Sequence, residues 1–190
     1  MDKKPDRRTI RTRDALQHAL MHLIAERGYE RLSVQDIIDR ANVGRSTFYT
    51  HFHDKEDLLV SGFNNLGDST LLDFSPLENR PQFITMIPLL EHGAEQYRLF
   101  KMLTGGSGMD AIMRKLQKQL AHNLEGTIEK LIGDGQQPGV PVRVMAHMLA
   151  NSFLSLMKWW LENEMPHSPA DTDAMFQEMV MPGFWKQLGR

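Results

Sequence analysis

Apolar residues in this chain recur at three- and four-residue steps, and nowhere do they alternate at a strand period over a useful length. From Arg13 to Arg27, Leu16, Ala19, Leu20, Leu23 and Ile24 share one face while Asp14, Gln17, Glu26 and Arg27 take others, which predicts an amphipathic helix. Gly28 stands where a left-handed residue can end that helix, and Tyr29 is expected to pack back on its last turn. Ser33 precedes Asp36 at capping-box spacing, and Val34, Ile37, Ile38 and Ala41 form the stripe of a second, short helix. A helix of about nine residues is marginal alone in water, so packing must hold it. Asn42-Val43-Gly44 supplies a turn: Asn tolerates the left-handed conformation, Val43 is an apolar plug, and Gly44 lets the chain re-enter a helix. In the third segment, Arg45 to Phe52, Phe48 and Phe52 lie one turn apart on an inward face. The pattern is a helix-turn-helix.

Asp54 is placed to cap a helix from Lys55 to about Leu66, with Leu58, Leu59 and Phe63 inward. Gly67 to Arg80 reads as a loop with at most one further turn of helix. Pro81 suits a helix start, and the run to Thr104 is expected to be broken or kinked at Pro88 and again near Gly93, giving two short helices. A long helix is predicted from Met109 to about Ile132, on Ile112, Met113, Leu116, Leu120, Leu124, Ile128 and Leu131, with Gly133-Asp134-Gly135 as its stop. Pro141 opens another, to about Glu164. There Met145, Leu149, Phe153, Leu156, Met157, Trp160 and Leu161 cover more than one face, so burial on two sides is expected. Pro166 and Pro169 separate it from a last helix carrying Phe176, Met179, Val180, Phe184 and Leu188, kinked near Pro182 and Gly183. The expected fold is all-α, with about nine helices.

Charge changes this picture at one end. Residues 1–13 hold Lys3, Lys4, Arg7, Arg8, Arg11 and Arg13 against Asp2 and Asp6, whereas the chain as a whole carries −2. Such a segment is either a solvated tail or an electrostatic arm for a polyanion. Cysteine is absent, which excludes disulfides, thiolate nucleophiles and thiolate metal sites. No stretch approaches the roughly 20 apolar residues of a membrane span and the N-terminus lacks the apolar core of a signal peptide, so a cytoplasmic protein is expected.

The outward face of the third segment bears Arg45, Ser46, Thr47 and Thr50, whose donors and acceptors suit base edges and phosphates in a major groove about 12 Å wide. Tyr49 and His51 can donate to phosphate, and Lys55 adds a charge. The run through Gly28-Tyr29, Ser33-Val34, Ile37, Ala41-Asn42-Val43-Gly44, Thr47-Phe48-Tyr49, His51-Phe52 and Lys55-Glu56-Asp57-Leu58 resembles the DNA-binding domain of TetR/AcrR-family regulators. The resemblance implies a basic arm and helix-turn-helix over residues 1–53, then a linker helix and an effector-binding, dimerising helical domain over 54–190. It implies DNA contacts from Arg45, Ser46, Thr47, Tyr49, Thr50 and His51, and backbone contacts from Ser33, Gln35 and Lys55. It also implies a double-stranded operator and a homodimer paired through the last two helices. Two positions depart from the pattern: Asn42 stands where the family usually has Gly, and Gly44 where it usually has Ser or Thr. Both keep the turn feasible, and Gly44 costs only a few tenths of a kcal/mol as a cap.

Other chemistry is weakly supported. His18 and His22 lie one turn apart, and His51-x-His53 followed by Asp54 has ligand-like types, but neither pair has a convincing third ligand for a metal and His51 is claimed by the DNA-contact pattern. Thr104-Gly105-Gly106-Ser107-Gly108 lacks the Gly-Lys-Ser/Thr ending and preceding strand of a phosphate loop and reads as a plain connection. With no nucleophile elbow or other catalytic signature, and no cofactor motif, an enzyme is not expected. The chain has 13 Met, many of them beyond Met86, which suits either core filling or an adaptable pocket for a small apolar or amphipathic effector. The pocket candidates are Met86, Leu90, Tyr97, Phe100, Met113, Leu116, Phe153 and Met157, with Glu91, Glu95 or Arg98 as polar partners. The expected function is a sequence-specific DNA-binding regulator, a repressor released by a ligand. The alternatives are control by a protein partner, or an interaction protein on the same scaffold.

Overall fold

The computed structural model describes residues 7–62, 84–132 and 138–188. Among the described residues the chain forms ten α-helices, a short 3-10 turn and no strand. They are α1 (Arg7–Arg27), the 3-10 turn (Tyr29–Arg31), α2 (Val34–Ala41), α3 (Arg45–His51), α4 (Lys55–Ser61), α5 (Ile87–Glu95), α6 (Tyr97–Leu103), α7 (Ser107–Ile132), α8 (Val142–Glu162), α9 (Pro169–Met179) and α10 (Met181–Gln187). The chain divides into two compact units, Met1–Asn65 with Leu99–Ile112, and Leu66–Arg98 with Met113–Arg190. Helices α6 and α7 therefore each supply residues to both.

In the first unit the predicted stripe of α1 is buried at Leu16, Ala19, Leu20, Leu23 and Ile24, and α1 packs on α2 and α4. The helix starts at Arg7 rather than Arg13, so Arg7, Arg8 and Arg11 are helical rather than part of a tail. Arg is a good helix former, and no Gly or Pro intervenes. Ile37 and Ile38 of α2 and Phe48 of α3 complete the core with Phe52, Leu58 and Leu59. Burying each such side chain contributes roughly 1.5–3 kcal/mol, which holds helices too short to persist alone.

In the second unit α5, α8 and α9 pack on one another and α10 on α9. Phe153 and Phe176 meet edge-to-face with ring centres 5.8 Å apart. Buried Asp173 of α9 accepts hydrogen bonds from the Met86 backbone N–H at 2.6 Å and the Thr85 hydroxyl at 3.3 Å, tying the residues just before α5 to α9. Pro88 does not break a helix as expected; it lies in the first turn of α5, where a missing N–H costs nothing. The two short helices expected in this run are present as α5 and α6; the break between them falls at Gln96, three residues past Gly93, where a Cβ would meet Leu161 at an ordinary contact distance of 3.6 Å. The last expected helix is two, α9 and α10, divided at Val180, with Pro182 again in a first turn. The predicted end of α4 near Leu66, inward Phe63, the 67–80 loop, the helix start at Pro81 and the stop at 133–135 lie outside the described residues.

Candidate nucleic-acid interface

Four local devices set the geometry of the interface. The first is the capping box of α2: the Ser33 hydroxyl donates to the Asp36 carboxylate and accepts from the Asp36 N–H at 3.2 Å, while the Ser33 N–H donates to that carboxylate at 2.9 Å. These bonds from the Ser33 side chain and backbone hold the Asp36 carboxyl below its ordinary range. The second is a bidentate clamp between α1 and α2, Arg40 to Glu26 at 2.9 and 2.7 Å, which likewise lowers Glu26. The third is the turn, where Asn42 takes the left-handed conformation at φ 52° and its N–H and that of Val43 return to carbonyls of α2. The fourth is the aromatic anchor of α3, Phe48 against Phe52 with ring centres 5.9 Å apart and the Arg13 guanidinium 4.6 Å over Phe52.

With Phe48 inward, Arg45, Ser46, Thr47, Tyr49 and Thr50 are exposed on α3, and His51 is half-buried at its end. Gly44 caps α3 with no side-chain bond, as its composition requires. The Arg45 guanidinium lies 5.8 Å over the Tyr49 ring and donates at 3.5 Å to Gln35, whose amide N–H in turn donates to Asp39 at 2.8 Å. Thus Gln35 of α2 and Arg45 and Tyr49 of α3 come together in one polar array. The Thr50 hydroxyl returns to the Ser46 carbonyl at 2.9 Å. Ser33 is exposed, with its hydroxyl used in the cap. Lys55 is half-buried, its ammonium bonded to backbone carbonyls at the 3-10 turn.

A cleft of about 400 Å³ in the first unit is lined by residues 27–31 and 102–106. None of the eight expected pocket residues lines it. Of those eight, Phe100 belongs to the first unit and the other seven to the second. Met86, Leu90, Phe100, Leu116, Phe153 and Met157 are buried, Tyr97 and Met113 are half-buried, and Glu91, Glu95 and Arg98 are exposed. Exposed His18 and His22 belong to no group of three or more metal-ligating side chains among the described residues.

The profile described as "Bacterial regulatory proteins, tetR family" matches residues 16–61, and that described as "Transcriptional regulator C-terminal region", also of TetR type, matches residues 83–182. The chain belongs to the TetR family. It is therefore a DNA-binding transcriptional regulator with a helix-turn-helix and a helical C-terminal region, as its sequence led one to expect. The HTH-type transcriptional regulator YxbF of Bacillus subtilis is 44% identical over 59 residues, which are 30% of this chain and 16% of that protein. The HTH-type dhaKLM operon transcriptional activator DhaS of Lactococcus lactis is 33% identical over 73 residues, 38% of this chain and 35% of that protein. The matched segments thus span well under half the length of either curated relative. A crystal structure of a TetR-family regulator from Syntrophomonas wolfei shares the fold, with a TM-score of 0.58 and 24% identity over 86% of this chain and 90% of that one. No helix among the described residues of this TetR-family regulator is long and apolar enough to cross a membrane.

Proposed function

We propose that this regulator is a cytoplasmic, homodimeric repressor that reads an operator with α3 and releases it when a small apolar or amphipathic effector binds its second unit. The observation that carries the DNA-reading part is the two-sided character of α3. Its apolar side is consumed by burial of Phe48, and its outward side presents Arg45, Ser46, Thr47, Tyr49 and Thr50 in the N-terminal turns that reach base edges in this motif. Arg45 stacked on Tyr49 and bonded to Gln35 loses less side-chain freedom on binding, which favours affinity. His51, Ser33 and Gln35 supply backbone contacts in this reading. No catalytic role is assigned to any residue.

Dimerisation rests on α8 and the C-terminal helices. Helix α8 buries Met145, Leu149, Phe153, Met157 and Trp160, yet leaves Val144, Met148 and Trp159 exposed; Met179 of α9 is 84% exposed. Apolar side chains at positions 144, 148 and 159 fall on one stripe of α8, as a helix facing a twofold mate requires. A dimer would then offer two α3 helices to successive major grooves about 34–36 Å apart.

The reading is tested by binding purified protein to a fluorescent duplex from its gene's upstream region, against competitor DNA of unrelated sequence. A specific complex, dissociated by an effector whose own affinity falls by the same factor when operator is present, is the expected result. An effector whose affinity ignored the operator would refute ligand release. A second reading, activation instead of repression, is favoured by the similarity to DhaS, an operon activator, and a reporter fused to the bound promoter separates the two.

A further inference from the structure

We infer that Lys55 is a positioning residue of the DNA-binding unit and not a phosphate ligand, and that Glu30 completes the same joint by seating the first turn of α7. This rests on the DNA-binding reading above and assigns work within it.

A lysine ammonium has three N–H donors and no acceptor. In Lys55 they face the carbonyls of Leu32 at 2.9 Å, Tyr29 at 3.1 Å and Glu30 at 3.5 Å, and Nζ lies 4.4 Å from the centre of the Tyr29 ring. Every donor is directed at one turn of backbone, and the charge rests on an aromatic face. Reaching a phosphate would require those bonds to be given up. Lys55 is also the first residue of α4, separated from α3 only by Phe52, His53 and the capping Asp54. Its hold on the 3-10 turn therefore fixes where α3 ends.

The side chain of Glu30 leaves the same turn toward α7. Its carboxylate accepts from the Ser107 N–H at 2.7 Å and from the Ser107 hydroxyl at 3.0 and 3.1 Å. The neighbouring residues are shaped for this fit. A Cβ on Gly106 would lie 2.5 Å from a Glu30 carboxylate oxygen, and one on Gly108 would lie 2.8 Å from the Tyr29 ring. Within the 104–108 run, a plain connection by its sequence, Gly106, Ser107 and Gly108 are thus the seat of Tyr29 and Glu30. Lys55, the 3-10 turn and the start of α7 stand in series, so displacing either end shifts the turn that locates α3.

The experiment is fluorescence anisotropy with the operator duplex over a salt series, on full-length dimer at a temperature where circular dichroism shows every variant folded. Lys55→Met is expected to weaken binding at least about tenfold at every salt concentration, with the slope of log affinity against log salt unchanged. Lys55→Arg, which keeps the charge but not the compact three-donor head, is expected to be weakened as well. Gly106→Ala, which pushes on Glu30, is expected to weaken binding with an unchanged slope. A slope smaller by about 0.9 per lost contact in Lys55→Met, or wild-type binding by Lys55→Arg, would make Lys55 a phosphate ligand and overturn the assignment. Wild-type affinity in Gly106→Ala would remove Glu30 from it. Absence of operator binding by the unaltered protein would instead defeat the DNA-binding reading itself.

Discussion

Phe48 and Tyr49 are consecutive residues whose rings meet edge-on with centres 5.3 Å apart, yet Phe48 is wholly buried and Tyr49 is 48% exposed. One anchors the recognition helix and the other is presented by it. Phe48→Ala is accordingly expected to cost roughly 3–5 kcal/mol of stability, and operator binding with it. Tyr49→Phe keeps the ring under Arg45, so thermal melting should move by no more than about 0.5 kcal/mol while operator affinity falls about tenfold or more through the lost phosphate hydrogen bond. Paired melting and anisotropy curves check this; equal destabilisation by both changes would contradict it.

Arg45 is expected to carry base preference. Arg45→Ala should lose about 1–3 kcal/mol of discrimination at one base pair of each half-site, measured on operators with single base-pair changes. A loss equal on operator and unrelated DNA would reduce Arg45 to a backbone contact.

Acid should loosen the helix-turn-helix through Asp36 and Glu26. Both carboxylates are held low in the folded state, by the Ser33 cap and by Arg40 respectively. Their stabilisation is therefore complete above the unfolded carboxylate range, about pH 4, and is lost as pH falls through the lower folded values. Asp36→Asn should melt below the wild type at pH 7, and the gap should narrow toward pH 3. A gap that widened in acid would refute the assignment.

The exposed stripe of α8 gives a further expectation. Met148→Glu changes a side chain that is 62% exposed, so it should leave the subunit fold intact but shift sedimentation from dimer to monomer. Operator affinity should fall with it, since two half-sites would no longer be held together. A Met148→Glu protein that remained dimeric would place the interface elsewhere.

The first unit was legible because its signals are local. Helical period, the Ser33/Asp36 box and the Asn42 turn each act within a few residues, and each appears where the pattern put it. What escaped was long-range. The bonds of Lys55 to backbone carbonyls more than 20 residues earlier left no sign, because nothing in its own neighbourhood announces them. The glycines at 106 and 108 looked like loop filler because the side chains they accommodate come from the 3-10 turn. Pro88 was misread for a related reason, since a proline signals a helix start as readily as a break, and only the chain around it shows which. Buried Asp173 left no sequence signal at all, since the N–H bonded to it belongs to Met86, 87 residues earlier.

Footprinting of the operator by the full-length protein, repeated across a salt series, bears most directly on whether α3 reads DNA twice in a twofold assembly. Two protected half-sites centred about 10–10.5 base pairs apart or at a multiple of that spacing, with log affinity falling linearly in log salt, are the predicted result. A single unpaired footprint, or binding indifferent to salt, would contradict it.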